Sequence, residues 1–365
     1  MAVGSAGLAI PSSAPKIAVG AIRWDAWWEG GHYARFLAPQ EWRDRLPWYG
    51  RAVSNTEVEV VGDRQAVMDR EIMLAQEAGL AYWAFDWYHP RSWPEADRYN
   101  YGLRRYLASR RRGRLNFCLL PQGGSHMGPA AEWPQTVATF VTLFKHPGYQ
   151  RVLGTRPLLY VFAVEHLVRQ FGSEAAVRQA LSTLRAASLA AGAGNPYLVA
   201  LVWNPADPVV AAYGFDAVSA YTSAPGGEHR EYPYAALARA NRDFWERCRQ
   251  AGRRTIPIVN AGWDGRPRLV DPQQARNYTG GWSAMPTPDE LAAHLQSALT
   301  WVRRHPATCE AQAVLVYAWN ESDEGGWLVP THREGNARLE AIRVVLRGRL
   351  PVCPTPRNRE HATFR

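Results

Sequence analysis

The feature that most constrains the fold is a series of eight short apolar segments spread along the chain. Each is almost continuously apolar rather than alternating, which is typical of parallel strands covered on both faces. Most are separated by a stretch long enough to form a helix. The segments are 17–22, 80–85, 115–120, 157–162, 197–202, 217–220, 256–259 and 313–318. Eight strands that alternate with helices in one α/β chain predict a single (β/α)8 barrel, also called a TIM barrel.

Two of the intervening stretches carry clear helix signals. Thr287 and Glu290 have the spacing of a capping box, and Pro288 stands between them at the first helical position. Apolar residues follow on one helical face. A second apolar stripe ends before Gly79, which can close a helix in the left-handed conformation. A doubly wound sheet is the alternative fold, but no GxGxxG or phosphate-loop motif follows the first strand.

The domain organisation follows from composition. We expect a flexible leader over residues 1–16, which are rich in Ala, Gly, Ser and Pro, then one barrel domain over 17–350 and a tail over 351–365. The leader lacks the basic and apolar regions of a signal peptide, so we expect a cytoplasmic protein, or a secreted one if the N-terminus has been trimmed. No stretch is long and apolar enough to predict a membrane span. The sequence carries no signal of oligomeric state.

Charge and cysteine content exclude several functions. The net charge is +9, but the densest basic run, 104–114, has no nucleic-acid motif around it and is interpreted as a solvated helix face. We therefore expect no nucleic-acid partner. The four cysteines form no CxxC pair, so neither a zinc site nor a redox dithiol is indicated. The sequence also has no GxSxG motif, so a Ser/His/Asp triad is not indicated.

Metal binding is an alternative that depends on three histidines. His89, His126 and His166 follow predicted strands and could bind a metal together. However, the sequence has no HExxH or HxH motif, and hydrogen bonding to substrate is the preferred interpretation. We expect no metal and no organic cofactor.

Polar and aromatic residues collect after the predicted strands, where (β/α)8 enzymes build their active sites. Exposed indole and phenol rings suit the apolar faces of sugars, although any single Trp can equally be a core residue. We therefore expect a carbohydrate substrate. The residues predicted to bind it are Trp24, Asp25, Asp86, Trp87, Tyr88, His126, Trp203, Asn204, Tyr221, Trp263, Asp264, Arg268, Trp319, Asn320 and Trp327. For Asp264 and Arg268 the alternative is that they pair with each other to brace their loop.

The segment after the eighth strand contains three acids within four residues, Glu321, Asp323 and Glu324. Cleavage of a glycoside needs one carboxylic acid to protonate the leaving oxygen and one carboxylate at the anomeric side. Two acids three residues apart in a tight turn can face one cavity, where their repulsion raises one pKa. Glu321 and Glu324 are therefore the predicted catalytic pair. Glu165, after the fourth strand, is the alternative acid, although it can also serve in the first turn of a helix.

These motifs resemble those of a known family. The stretch Trp319-Asn320-Glu321-x-x-Glu324-Gly325 resembles the WNEWxEG segment of glycoside hydrolase family 99 and its WbsX-like relatives. Further similar stretches occur in the same order over residues 17 to 345. They include Phe85-Asp86-Trp87-Tyr88, which resembles FDWY, and Gly262-Trp263-Asp264-x-x-Pro267-Arg268, which is similar to GWDNTPR. The likeness covers nearly the whole chain.

The resemblance implies a retaining, endo-acting α-mannoside hydrolase in which the 2-hydroxyl of the substrate is the nucleophile and a 1,2-anhydro sugar is the intermediate. Glu321 would deprotonate that hydroxyl, and Glu324 would protonate the leaving oxygen and then activate water. No metal or organic cofactor is implied. Ser322 replaces the Trp between the glutamates of relatives, and Val329 stands where they usually have Glu. These departures leave the sugar open.

Two other functions remain. One is a glycosyltransferase or transglycosylase of polysaccharide biosynthesis, because WbsX-like proteins have been labelled glycosyltransferases and two acids can transfer a sugar to an acceptor other than water. The other is a non-catalytic carbohydrate-binding barrel, which keeps the aromatic residues and needs neither glutamate. The retained pair Glu321 and Glu324 favours an enzyme.

Overall fold

The computed structural model describes residues 16–277 and 280–347. In it, eight parallel strands form the wall of a (β/α)8 barrel, which confirms the predicted fold class. Every strand lies within two residues of its predicted position. The strands are β1 Ala18–Arg23, β2 Tyr82–Trp87, β3 Asn116–Pro121, β4 Arg156–Phe162, β5 Tyr197–Leu201, β6 Ala217–Ser219, β7 Ile258–Asn260 and β8 Ala313–Tyr317.

The strands follow one another around the ring in chain order, and β8 pairs with β1 through Ala18 opposite Ala313. Backbone hydrogen bonds complete the ring between β6 and β7. The N–H of Val218 donates to the carbonyl of Arg254 at 2.9 Å, and the N–H of Ile256 donates to the carbonyl of Val218 at 3.1 Å. One face of each strand points into the packed interior of the barrel, and the other lies beneath the helices. Both faces are therefore buried, which explains the continuous apolar runs.

Helices surround the strands and begin and end where local signals place them. The side chain of Thr287 accepts a bond from the N–H of Glu290, whose carboxylate accepts from the N–H of Thr287, so the predicted capping box is confirmed. Gly79 ends the first helix with φ 92°, also as predicted. The α-helices are α1 Gln65–Ala78, α2 Tyr101–Ala108, α3 Trp133–Phe144, α4 Leu167–Phe171, α5 Glu174–Ala190, α6 Val209–Tyr213, α7 Tyr234–Gln250, α8 Pro272–Asn277, α9 Pro288–Arg304 and α10 Ala337–Arg347.

Short elements shape the rim at the carboxyl ends of the strands. The 3-10 helices are His32–Leu37, Gln40–Arg45, Ala96–Asn100, Gly124–Met127, Ala130–Glu132, Val164–His166, Arg266–Val270 and Ser322–Glu324. The small strand pairs at this rim are Gly50–Ala52 with Val58–Val60, Glu231–Tyr232 with Trp282–Ser283, and Asn320–Glu321 with Gly326–Trp327. A further short strand, Arg151–Val152, pairs with the first residues of β4, at the other end of the barrel. All of the 3-10 helices belong to segments that follow barrel strands, so the irregular structure is concentrated at one end of the barrel.

The arginine-rich run 104–114 is only partly helical. Helix α2 ends at Ala108, and the chain turns through Ser109 and Gly113 before β3 begins. The prediction of one solvated helix face is therefore wrong for its second half, because Ser109 is extended and Gly113 is left-handed with φ 50°. The predicted leader up to residue 15 and the predicted tail lie outside the described residues. No described helix has the length and apolar character needed to cross a bilayer.

Candidate active site

A cavity of about 440 Å³ opens at the carboxyl ends of the barrel strands. Segments that follow β1, β2, β3, β5, β6, β7 and β8 contribute to its wall. It therefore lies where the chemistry of this fold is ordinarily found. The predicted residues that line it are Trp24, Asp86, Tyr88, His126, Trp203, Tyr221, Trp263, Arg268, Glu321 and Glu324.

Seven other predicted residues do not line the cavity, so the structure does not bring them to its surface. They are Asp25, Trp87, Asn204, Asp264, Trp319, Asn320 and Trp327. Six of them are buried beneath the cavity wall, whereas Asn204 caps a local turn by accepting the N–H of Ala206 at 3.1 Å. The sequence placed them in the right segments, but a residue in a rim segment can point toward the barrel wall as easily as toward the opening.

Several of the buried residues support the wall from behind. The guanidinium of Arg23 forms ion pairs with Asp25 at 2.9 Å and with Glu71 at 2.8 Å. The indole of Trp319 donates to Glu71 at 3.1 Å. Burial raises the pKa of Asp25 to about 6, although Arg23 opposes the shift. This cluster lies behind the segment after β1 and stabilises it.

Other contacts join neighbouring rim segments. The amide of Asn320 accepts the backbone N–H of Trp24 at 3.0 Å and donates to the carbonyl of Trp24 at 2.7 Å. The segments after β1 and β8 are therefore held in register. Trp87 packs edge-on against Phe140, with 4.8 Å between ring centroids. The Trp327 ring lies 4.0 Å from the guanidinium carbon of Arg338.

A tight turn after β8 places Glu324 in the cavity. The 3-10 helix Ser322–Glu324 ends at Gly325, which has φ 81°. A Cβ atom at Gly325 would lie 2.5 Å from the backbone nitrogen of Asp264, and the N–H of Asp264 donates to the carbonyl of Glu324 at 2.7 Å. Glycine is needed here both for the left-handed conformation and for the close approach of the segment after β7.

The two predicted catalytic carboxyls meet at one tyrosine. The hydroxyl of Tyr317, the last residue of β8, lies 2.6 Å from Glu324 Oε2 and 3.2 Å from Glu321 Oε2. Two carboxyls within reach of one hydroxyl are close together.

A second tyrosine connects Glu321 to a third carboxyl. The hydroxyl of Tyr221 lies 2.5 Å from Glu321 Oε1 and 2.7 Å from Asp86 Oδ2. Burial raises the pKa of Glu321 well above its ordinary value, and the nearby charges of Glu324 and Asp86 add to that shift. The cavity floor thus contains several acids whose ionisation is mutually unfavourable.

One arginine balances part of this negative charge. Nε of Arg268 donates to Asp323 at 2.7 Å, and its Nη1 contacts Glu324. Burial disfavours the charged guanidinium, but Asp323 and Glu324 outweigh burial and raise the pKa of Arg268. Asp264 pairs instead with Arg45 and Arg266. The alternative that Asp264 and Arg268 brace each other is therefore wrong.

The opposite side of the cavity is aromatic. The Trp24 indole donates to the Tyr88 hydroxyl at 3.0 Å, and the guanidinium carbon of Arg268 lies 5.0 Å from the Trp24 ring. Trp203 is 59% exposed at the cavity, an unusual exposure for so large an apolar side chain. Rings presented this way offer flat apolar surfaces beside polar groups.

Sequence reasoning missed several residues of the site. They are Tyr33, Trp93, Tyr99, Leu120, Gln122, Phe162, Thr222 and Tyr317. The long, aromatic-rich segments after β1 and β2 were a usable signal for the first three. Tyr317 had none, because it ends an apolar strand and only its hydroxyl reaches the glutamates.

Of the alternative metal and acid residues, only His126 lines the cavity. Within residues 16–277 and 280–347, no group of three His, Cys, Asp or Glu side chains has the arrangement of a metal site. His89 contacts Glu132 at 3.2 Å, and His166 is at the surface beside Glu165. Glu165 does not line the cavity, so it is not in a position to act as the alternative acid.

Comparisons with known proteins agree with this architecture. Residues 113–342 match the family model described as Glycosyltransferase WbsX. No curated protein matches the sequence.

Solved structures share the fold over nearly the whole chain. One is a glycoside hydrolase-like protein with 14% identity and a TM-score of 0.62, covering 93% of this chain and 97% of its own. Another is the family 99 endo-α-mannosidase from Bacteroides thetaiotaomicron, with 11% identity and a TM-score of 0.57, covering 90% and 95%. At such identities the likeness establishes the shared (β/α)8 fold.

Proposed function

The chain belongs to the Glycosyltransferase WbsX family, and on that premise we propose that it is a retaining glycoside hydrolase of α-linked, mannoside-like oligo- or polysaccharides. The observation that carries the proposal is the placement of Glu321 and Glu324 around the Tyr317 hydroxyl on the floor of one cavity. Acid and base groups for glycoside cleavage must reach the two sides of one anomeric centre. Two carboxyls that approach one hydroxyl on the floor of one cavity support this assignment.

In the proposed first step, Glu321 takes the proton of the sugar 2-hydroxyl. The oxygen's electron pair then attacks the anomeric carbon, the bond to the leaving oxygen breaks, and Glu324 supplies that oxygen with a proton. The product is a 1,2-anhydro sugar. In the second step Glu324 removes a proton from water, which opens the three-membered ring, and Glu321 returns its proton to the 2-oxygen. Glu321 and Glu324 then have the same charge and protonation as before the reaction.

Substrate binding is proposed to use the aromatic side of the cavity. Trp24, Trp203 and Trp263 present ring surfaces near the carboxyls, and the apolar faces of pyranose rings pack well on such surfaces. Tyr88 and His126 add polar atoms on the same side. This mixture of flat rings and convergent polar groups is typical of small-molecule cavities.

The test is product analysis on a panel of α-linked oligosaccharides and bacterial polysaccharides, with Glu321→Gln/Glu324→Gln as the inactive control. The hydrolase proposal expects products with the unmodified protein and none with the double variant. When the reaction is run in ¹⁸O-labelled water, the label is expected at the new reducing end. Absence of products from every panel member, with sugars still raising the melting temperature, would indicate a binding protein.

Glycosyl transfer is the second candidate, and the description of the matched family favours it. The roles of Glu321 and Glu324 would be the same up to the intermediate, and Glu324 would then activate a sugar hydroxyl instead of water. Addition of acceptor sugars distinguishes the two activities. A transferase forms longer products at the expense of labelled reducing ends, whereas a hydrolase leaves the product distribution unchanged.

A further inference from the structure

A buried chain of three groups joins the cavity floor to β2. Asp86, at the end of β2, is linked to Glu321 through the single hydroxyl of Tyr221. Asp86 and Glu321 are both buried, and Tyr221 is partly buried between them. The contacts of 2.7 and 2.5 Å are both of hydrogen-bond length, so each must contain a hydrogen atom.

The number of protons in this chain is therefore constrained. A phenol has one proton and can donate one hydrogen bond, while an ionised carboxylate can only accept. If Asp86 and Glu321 were both ionised, one of the two short contacts would join oxygens with no proton between them. One of the two carboxyls must therefore be protonated and donate its hydrogen bond to Tyr221.

The surroundings decide which carboxyl is protonated. Oδ1 of Asp86 is buried and has no hydrogen-bond donor among the described residues, and no described Arg or Lys forms an ion pair with Asp86. The second oxygen of Glu321 instead has a hydroxyl within hydrogen-bond distance, that of Tyr317 at 3.2 Å, which also contacts Glu324 at 2.6 Å. A buried oxygen without a donor is much less costly on a neutral acid than on a carboxylate. Burial accordingly raises the pKa of Asp86 well above its ordinary value.

Acidic and phenolic groups predominate around Asp86. The titratable and charged groups that act on it are Tyr221 after β6, Glu321 and Glu324 after β8, Asp25 with its partner Arg23 from β1, and Tyr88 on its own segment; His126 after β3 packs against Tyr88. Arg23 is engaged by Asp25 and Glu71. The local field thus opposes a further negative charge at Asp86.

We propose that Asp86 is a positioning residue that remains protonated at neutral pH, donates to Tyr221, and thereby directs the Tyr221 proton to an ionised Glu321. The order of donation is Asp86 Oδ2 to Tyr221 Oη, and Tyr221 Oη to Glu321 Oε1. Glu321 is then oriented by the proton of Tyr221 and can accept a proton from substrate. The role given to Glu321 rests on the proposed function, whereas the location of the proton does not.

The first test is infrared spectroscopy of the full chain at pH 8, without substrate. A neutral carboxylic acid has a carbonyl band separate from those of carboxylates. One such band is expected to move when aspartate carboxyls are labelled with ¹³C and to disappear in Asp86→Asn, whereas a band from a protonated Glu324 moves only with glutamate labelling. Absence of any aspartate-sensitive band, or an aspartate-sensitive band that survives Asp86→Asn unchanged, overturns the proposal.

The second test is the pH dependence of unfolding, which also needs no substrate. A carboxyl whose pKa is higher in the folded state binds more protons there, so stability falls as pH rises above the unfolded pKa of about 3.9. The quantity to compare is the ratio of the unfolding constant of the unmodified chain to that of Asp86→Asn. This ratio is expected to rise with pH, and its increase should approach tenfold per pH unit. A ratio that is flat or falls with pH means that Asp86 is ionised and overturns the proposal.

Asp25→Asn is the matched control, because Asp25 is equally buried but is paired with Arg23. This variant is expected to leave the aspartate infrared band in place. If Asp25→Asn removes the band and Asp86→Asn does not, the proton belongs to the cluster behind β1 and the proposal is wrong. Because both tests work without substrate, their failure is distinct from failure of the proposed reaction.

Discussion

Two buried carboxyl clusters lie side by side at the ends of β7 and β8, and they are built in opposite ways. Asp264 accepts from two arginines, Arg45 and Arg266. Glu321 lies within hydrogen-bond distance of two phenols, those of Tyr221 and Tyr317. Burial disfavours the charge in both places, but the arginines outweigh it and lower the pKa of Asp264, whereas the pKa of Glu321 is raised.

The difference shows how one fold gives two buried carboxyls opposite proton affinities. A carboxylate neutralised by arginines stays ionised and holds two segments together. A carboxyl buried among phenols and other acids is poised to gain and lose a proton, as a general base must. Asp264 and Glu321 are thus both acids in rim segments, but their partners give them different roles.

The largest expected effect is on turnover. Glu321→Gln and Glu324→Gln should each lower kcat by roughly 10²–10⁴-fold, because each removes a proton-transfer group. Glu321→Gln should also leave stability unchanged or raise it by about 0.5–2 kcal/mol, since it removes a poorly compensated buried acid. Kinetics and urea unfolding of each variant test this. Wild-type-like turnover on a substrate with a poor leaving group would exclude the mechanism.

The neighbouring cluster should respond in the opposite way. Asp264→Asn leaves Arg45 buried without its charge partner, which should cost about 3–5 kcal/mol of unfolding free energy. Because the Asp264 pKa is lowered on folding, its contribution is present at neutral pH and is lost as pH falls through the folded pKa.

The matched control for that loss is Asp44→Asn, which breaks the exposed pair with Arg333 and should cost less than about 1 kcal/mol. Urea titrations at neutral and acidic pH measure both variants. Equal losses in Asp264→Asn and Asp44→Asn would contradict the bracing role.

An intermediate effect is expected from the phenol that links Asp86 to Glu321. Tyr221→Phe removes a hydrogen bond that lowers the Glu321 pKa, so that pKa should rise. The base must be ionised, so the acidic limb of the pH–rate profile should move to higher pH. Loss of a hydrogen bond to a charged group costs about 1.5–3 kcal/mol. On the acidic limb of the profile this corresponds to roughly ten- to hundredfold lower activity.

Tyr197→Phe is the control for this shift, because the Tyr197 hydroxyl contacts Glu310 at 3.1 Å and does not line the cavity. Its pH–rate profile should coincide with that of the unmodified enzyme. A limb that stays in place in Tyr221→Phe would show that Tyr221 does not tune Glu321.

The smallest effect is expected on the aromatic side of the cavity. Trp203→Ala should raise KM by up to about tenfold, or about 1.4 kcal/mol, with a smaller change in kcat. Its stability should barely change, because the ring is already 59% exposed. Leu189→Ala, at an exposed site on α5, is the control and should leave KM unaltered. A fall in kcat alone for Trp203→Ala would argue against a binding role.

Much of the fold was predictable because its signals are local. Apolar runs of strand length, the capping box at Thr287 and the left-handed Gly79 each act within a few residues. The position of Glu321 and Glu324 followed from one further rule, that the rim after β8 faces the active site. The sequence did not predict which rim side chains face the cavity. Trp319 and Asn320 are aromatic and polar, like neighbouring residues that line the cavity, but both are fully buried.

The sequence by itself thus determined the barrel, its strand order and the acidic turn after β8. Only the tertiary structure decided which acids are paired with arginines and which are buried among phenols and other acids, because that depends on partners distant in the chain. Tyr221 reaches Asp86 across 135 residues, and Arg45 reaches Asp264 across 219. Burial and hydrogen-bond partners set the proton affinity of each carboxyl, and both arise only when the chain folds.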